Sequence, residues 1–216
     1  MSEPSQNFSQ QDKIFNPRDA KPVTVIGAGS VGSKLVLELA SVGCTEITVW
    51  DSDDVASHNV PMSAYRRIDL GRFKTVALKE IVRDKSGVEI KVVQRMYNDE
   101  PLRGTVVSCV DWMDERKKIW KQVKNNPLVD LFVDTRTAIE LLEVYAIQPC
   151  NREDVAFYET RLYPSSDAIR PQCGVHGISP VTSITAGVAA AALTRFWKKG
   201  TNSRVFSLYV GSLTPV

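Results

Sequence analysis

The chain has 216 residues, 43% hydrophobic and 24% charged, with 27 Lys plus Arg against 25 Asp plus Glu. That length suits one large α/β domain, and that apolar share supports a sizeable core with disorder confined to local stretches. A formal charge of +2 lacks the basic excess that accompanies bulk nucleic-acid or membrane-surface binding, so neither partner is expected.

Residues 1–20, opening MSEPSQNFSQQDK, are polar and aperiodic and read as a flexible N-terminal arm; residues 21–216 then read as a single domain. PVTVIG at 22–27 is a short apolar run closed by glycine, the pattern of a central parallel strand. The next segment places Val31, Leu35, Leu39 and Val42 at helical spacing, with Gly43 as the stop. EITVWD at 46–51 is a second strand, GRFKTVALKEIVRDKSG a second helix closed by Gly87, and VEIKVVQ at 88–94 a third strand. TVVSCVD at 105–111 reads as a fourth strand, followed by the amphipathic helix WMDERKKIWKQVK. LVDLFVDTR and LLEVYAIQP are two more strands, the second antiparallel because no helix-length crossover separates them. PVTSITAGVAAAALTRFWKKG is a late buried helix, too interrupted by Thr, Ser and Arg195 for a membrane span, and RVFSLYVG is a last strand. The alternation predicts a Rossmann-like, doubly wound α/β fold, mostly parallel, with antiparallel strands toward its C-terminal part.

The four cysteines, Cys44, Cys109, Cys150 and Cys173, are far apart with no CxxC pair. No zinc site is expected, and the scatter suits a reducing, cytoplasmic setting. Cys44 and Cys109 fall in or beside apolar elements and read as core.

Gly27, Gly29 and Gly32 form GxGxxG between a predicted strand and a predicted helix. The first glycine permits a tight turn, the second lets backbone approach a phosphate, and the third lets the helix pack closely. Asp51 closes the second strand 19 residues beyond Gly32, where an acid can hold ribose hydroxyls. These features imply an adenine nucleotide and leave NAD and ATP both open. The stretch DSDDVASHNV adds Asp53, His58 and Asn59, more polar groups than a ribose alone requires.

Taken in order, the motifs resemble the ThiF/MoeB/HesA family, the adenylating fold shared with ubiquitin-activating enzymes. They are the glycine turn, then D-x-D-x-V at Asp51, Asp53 and Val55, then Asn59, then Gly71 and Lys74, then a strand running to Asp111. The match runs from about residue 21 to 116 and more loosely to about residue 199. The resemblance implies ATP and Mg²⁺ as cofactors. Lys74 would be the cation at the α-phosphate and Asp111 the magnesium ligand. Asp51 and the glycine turn would hold the nucleotide, with Asp53 and Asn59 lining it. It further implies adenylation of the terminal glycine carboxylate of a small ubiquitin-like or sulfur-carrier protein by a homodimer. An added cation and metal suit the charge that develops at the α-phosphorus.

The sequence departs from that pattern in places. Met62 stands where the family has a phosphate-touching Arg, with Arg66 and Arg67 as nearby substitutes, and Arg18 is the one N-terminal arginine. Family members use an N-terminal Arg, often donated across the dimer, so Arg18 is carried over as a catalytic candidate. Cys173, three residues before His176 in a Gly/Pro-rich stretch ahead of a helix, is a candidate acyl acceptor. An NAD(P)-dependent oxidoreductase, and a catalytically degenerate subunit of a heteromeric activating enzyme, are the alternatives. A third keeps adenylation and changes the acceptor to a tRNA or a small carboxylate.

Overall fold

Short apolar runs flanked by glycine form the central strands because both of their faces are to be covered. In the computed structural model, which describes residues 6–164, 166, 178–212 and 214–215, these runs assemble into one eight-stranded sheet of order β3-β2-β1-β4-β5-β6-β7-β8. The strands are β1 (Val23–Ile26), β2 (Ile47–Trp50), β3 (Lys91–Val93), β4 (Gly104–Ser108), β5 (Val129–Ala138), β6 (Leu141–Ile147), β7 (Val205–Tyr209) and β8 (Thr214–Pro215). The ladder is parallel from β3 through β5 and antiparallel from β5 to β8. The helices are α1 (Ser30–Ser41), α2 (Lys74–Ser86), α3 (Met113–Val123), α4 (Arg152–Glu159) and α5 (Ser179–Lys199). None of the described helices is long and apolar enough to cross a membrane. The fold class read from the sequence is the one observed.

Two apolar layers sandwich the sheet. On one side Val25, Val49 and Val133 pack under α1, α2 and α5 through Leu35, Leu39, Leu78, Ile81, Ala189 and Leu193. On the other, Ile26, Val106 and Phe132 meet Ile119, Trp120 and Tyr158 of α3 and α4. Small residues Ala186, Ala189 and Ala190 let α5 lie close, Trp197 near its end donates to Thr105 Oγ1 at 3.0 Å, and Gly200 in the left-handed conformation stops it. Of the expected arm, residues 6–20 lie against this layer: Phe15 is buried, its ring centroid 6.1 Å from that of Trp197.

Four elements differ from the sequence reading, the first being a short extra edge strand, β8, beyond the last one expected. β3 is only Lys91–Val93, because Val88 and Ile90 turn into the core instead of pairing at the sheet edge. Helix α4 is additional; its start is capped by the Asn151 side chain, which accepts from the backbone N–H of Glu153 and Asp154. β4 ends at Ser108, three residues short of Asp111. On one side its partner β1 stops at Ile26 and turns away at Gly27, so that ladder ends with Cys109 N–H to Ile26 O (2.8 Å); on the other, pairing with β5 ends at Ser108 although β5 runs on to Ala138.

Parallel strands with helical crossovers bring the starts of α1, α2 and α3 to the carboxyl edge of the sheet. Between β1 and β4 the winding reverses direction, the place where open α/β sheets form a binding crevice.

Candidate active site

The three glycines of the turn have separate physical reasons. Gly27 sits at φ +97°, and a Cβ there would lie 2.6 Å from the Cys109 carbonyl oxygen. A Cβ on Gly32 would lie 2.0 Å from the Gly27 carbonyl oxygen. Around Gly29 a Cβ would meet nothing within 4 Å. The chain's own packing thus demands the first and third glycines, while the second faces room for a ligand. Gly29 is also the N-cap of α1; no side chain caps that start and no acidic residue lies in its first turn. Its free N–H groups and the positive end of its dipole therefore face that room, a ready anion site.

Neighbouring groups hold the turn in shape. Asp51 Oδ2 accepts from Ala28 N–H at 2.7 Å, and Tyr65 Oη donates to the Ala28 carbonyl at 2.6 Å. Burial holds the Tyr65 phenol well above its ordinary pKa, so it stays a donor. Ser33 Oγ donates to the Gly29 carbonyl at 2.7 Å and accepts from Ala64 N–H at 3.1 Å. Tyr65 and Ser33 carry no motif signal in the sequence.

Asp51 Oδ1 accepts from Asp53 N–H at 2.8 Å, and burial raises the Asp51 carboxyl above the usual range. Lys74 is the first residue of α2 and is only 8% exposed. Its backbone N–H donates to the Asp53 carbonyl (2.9 Å) and its Nζ to Asp53 Oδ2 (2.7 Å). That hydrogen bond holds the Asp53 carboxyl below its ordinary value. An ammonium buried at the positive end of a helix with no side-chain cap is electrostatically costly. Its counter-ion Asp53 has a side chain 64% exposed, so solvent screens the pair. Asn59 uses its Oδ1 to accept from Ala56 N–H at 2.8 Å, bracing the loop; His58 beside it is exposed.

Asp111 lies in the loop after β4, not at a strand end, and it does not cap α3: the N-cap is Trp112, without a side-chain cap bond. Its carboxylate is exposed and makes no hydrogen bond or ion pair among the described residues. Behind that loop lies a buried charge network that sequence reasoning missed. Arg116 of α3 donates through Nη1 to Asp134 Oδ1 and through Nη2 to the Val110 carbonyl at 2.6 Å. Asp134 also accepts from Arg136 Nε (2.8 Å) and Tyr158 Oη (2.9 Å). Two signals were available: Asp134 directly after the apolar Leu131, Phe132 and Val133, and an Arg at helical spacing with Met113, Trp120 and Val123.

Other candidates lie elsewhere. Arg18 is exposed in a 3-10 turn next to Pro17, which abuts Gly43 just beyond the end of α1. That is one helix length, roughly 18 Å, from the glycine turn, so one protomer does not bring Arg18 to the site. Arg66 is committed to the buried Asp69 at 3.0 Å, and Arg67 is exposed. Met62 offers its carbonyl to Thr182 Oγ1 at 3.0 Å. Cys173 and His176 fall outside the described residues. Burial pushes the Cys44 thiol to about 11 and the Cys109 thiol to about 12, so neither supplies a thiolate at neutral pH.

Chemically, the edge offers backbone donors with room at Gly29, an acid at Asp51, an ammonium at Lys74 and a free carboxylate at Asp111. That set fits a nucleoside polyphosphate. Among the described residues no three His, Cys, Asp or Glu side chains gather into a metal cage. A lone Asp111 still fits Mg²⁺, which takes one or two carboxylates and fills its shell with phosphate oxygens and water.

The family model described as the ThiF family matches residues 7–209. No curated protein matches the chain by sequence. Among solved structures, selenomethionine PaaA superposes with a TM-score of 0.74 at 17% identity, covering 93% of this chain and 73% of that one. E. coli MccB with ATP gives 0.72 at 14% identity, covering 100% and 71%. E. coli MccB with AMPCPP and MccA gives 0.68 at 14% identity, covering 93% and 64%. These neighbours share the fold, and this chain spans 64% to 73% of their lengths.

Proposed function

The chain belongs to the ThiF family, and from that premise we propose that it is an ATP-dependent adenylyltransferase acting on a carboxylate of a polypeptide. The observation that carries the reading is Lys74: a buried ammonium at a helix start without a side-chain cap, beside an open glycine turn that also lacks one. Only an incoming anion relieves all three at once.

In this reading the α1 N–H groups take phosphate oxygens at Gly29 and Asp51 holds the ribose hydroxyls. Lys74 leaves Asp53 for an oxygen of the α-phosphate. At about 4 Å and an effective dielectric near 20, such a contact is worth up to ~4 kcal/mol. A carboxylate oxygen of the substrate attacks the α-phosphorus, the bond to the bridging oxygen breaks, and pyrophosphate departs, leaving an acyl-adenylate. Mg²⁺ at Asp111 would neutralise charge on the departing pyrophosphate. A thiol then attacks the acyl carbon and displaces AMP, with Cys173 as the sequence candidate.

The substrate first in line is a small glycine-terminated ubiquitin-like or sulfur-carrier protein, bound by a homodimeric, cytoplasmic enzyme, with Arg18 reaching a site only from a second protomer. A short peptide is the second reading. It is favoured by neighbours that hold MccA, N-formylated in one of them, since N-formylation marks a polypeptide's amino terminus.

Exchange of labelled pyrophosphate into ATP tests both, with a glycine-terminated carrier and with short peptides as acceptors. Exchange is expected with one class, and Lys74→Ala should lower it at least ~100-fold while the melting temperature holds. No exchange with either class, together with no ATP binding, would remove the proposal; binding of NAD in its place would favour an oxidoreductase.

A further inference from the structure

Asp111 is flanked by three anchored positions. Cys109 N–H donates to Ile26 O of β1 at 2.8 Å, fixing the loop to the glycine-turn strand. The Val110 carbonyl accepts from Arg116 Nη2 at 2.6 Å, and the Trp112 carbonyl accepts from Arg116 backbone N–H at 3.1 Å. The Arg116 side chain therefore grips the residue immediately before Asp111, while the residue immediately after it is held by the first backbone bond of α3. Arg116 is itself immobilised: it is 4% exposed, its Nη1 is paired with Asp134, and it also reaches the Thr135 carbonyl at 3.3 Å. Asp134 is fully buried with both oxygens occupied, by Arg116 on one side and by Arg136 and Tyr158 on the other. Thr135 Oγ1 donates to the Ser108 carbonyl at 3.1 Å, tying β5 to the start of the same loop.

Buried ion pairs are weak sources of stability, and apolar replacements are often neutral. A planar guanidinium, however, can bridge a carboxylate and a carbonyl at fixed angles, which a lysine's point charge cannot. We propose that Arg116 is a positioning residue: anchored on Asp134, its guanidinium holds the Val110 carbonyl and so sets the backbone entering Asp111, so that this carboxylate meets a metal arriving with the phosphates. This rests on the adenylation reading. Arg116 touches neither substrate nor metal.

The test is ATP affinity of the full chain by titration calorimetry, in excess EDTA and across a Mg²⁺ series. Wild type is expected to bind more tightly as Mg²⁺ rises, and Asp111→Asn to lose that gain. Arg116→Lys keeps a charge for Asp134 and gives up the Val110 carbonyl. It should need ~10–100-fold more Mg²⁺ for half the gain, with affinity in EDTA and the melting temperature unchanged. Amide exchange at Cys109, whose N–H donates to Ile26 O, should quicken in the same variant. Arg116→Met should show the same Mg²⁺ dependence with a lowered melting temperature, because it leaves the buried Asp134 one partner short; if it fails to fold, Arg116→Lys alone decides. An Arg116→Lys protein with wild-type Mg²⁺ dependence overturns the inference, and so does one that loses ATP equally in EDTA. A wild type that binds no ATP overturns the adenylation reading instead.

Discussion

The parallel and antiparallel halves of the sheet finish their helices differently. In the parallel half α1, α2 and α3 begin at Gly29, Phe73 and Trp112, and none of the three has a side-chain cap. In the antiparallel half α4 begins at Asn151, whose side chain takes two backbone N–H groups. α5 also lacks a side-chain cap, but Pro180 removes one of its donors. Helix starts that serve only packing are best sealed, since each free donor left without a partner costs free energy. The uncapped starts of α1, α2 and α3 are the ones gathered at the sheet's reversal point. α3 there carries Asp114 and Glu115 in its first turn, whereas α1 and α2 carry no acid. The open positive field is thus concentrated between Gly29 and Lys74, where the proposed phosphates lie.

Two glycine substitutions break this comparison most sharply. Gly32→Ala forces a Cβ against the Gly27 carbonyl at 2.0 Å. Backbone must move, so unfolding free energy should fall by roughly 1–3 kcal/mol, with ATP binding lost as well. Gly29→Ala meets open space and a negative φ, so stability should stay within about 0.5 kcal/mol. ATP affinity should nevertheless drop, because the methyl occupies the room left for a phosphate. Denaturant melts paired with ATP titrations read both quantities; equal loss of stability in the two variants would show that the second glycine also packs.

Asn151→Ala is the matching change in the other half. Removing the cap should cost about 1 kcal/mol and leave ATP affinity untouched. A change in ATP affinity would mean that α4 is coupled to the crevice, which the sealed start argues against.

The parallel half was legible because period, glycine and acid coincide in each βα unit, from VIG through Asp51 to Gly87. The error at Asp111 has a definite cause. The run TVVSCV stays apolar past the point where β1 can pair with β4, and the end of β1 that terminates that ladder lies some 80 residues earlier, outside any local window. Arg116 and Asp134 were invisible for a related reason: their pairing spans α3 and β5, and each alone reads as an ordinary polar residue in an amphipathic or strand pattern. Lys74 was placed by motif, but its burial and its bond to Asp53 came only from the fold. For α4 the Asn151 cap with Glu153 and Asp154 was a readable start signal, followed by Val155 and Tyr158 three residues apart.

The smallest expected effect concerns the ion pair that stands in for the ligand. The Asp53 carboxyl is held below its unfolded value of 3.8 by Lys74, so the pair contributes stability above that pH and loses it as pH falls through the lower folded value. Asp51 has the opposite sign: burial raises it, so its ionised form costs stability above 3.8 and acid relieves that cost. Asp53→Asn should therefore be less stable than wild type near pH 6, by no more than about 1 kcal/mol for a screened pair, and the gap should close toward pH 3. Urea melts across that range measure it. Saturating ATP sharpens the test, because a Lys74 that has moved to the α-phosphate no longer depends on Asp53. The gap near pH 6 should then shrink with nucleotide bound, and a gap that persists unchanged would mean Lys74 stays where the ion pair holds it.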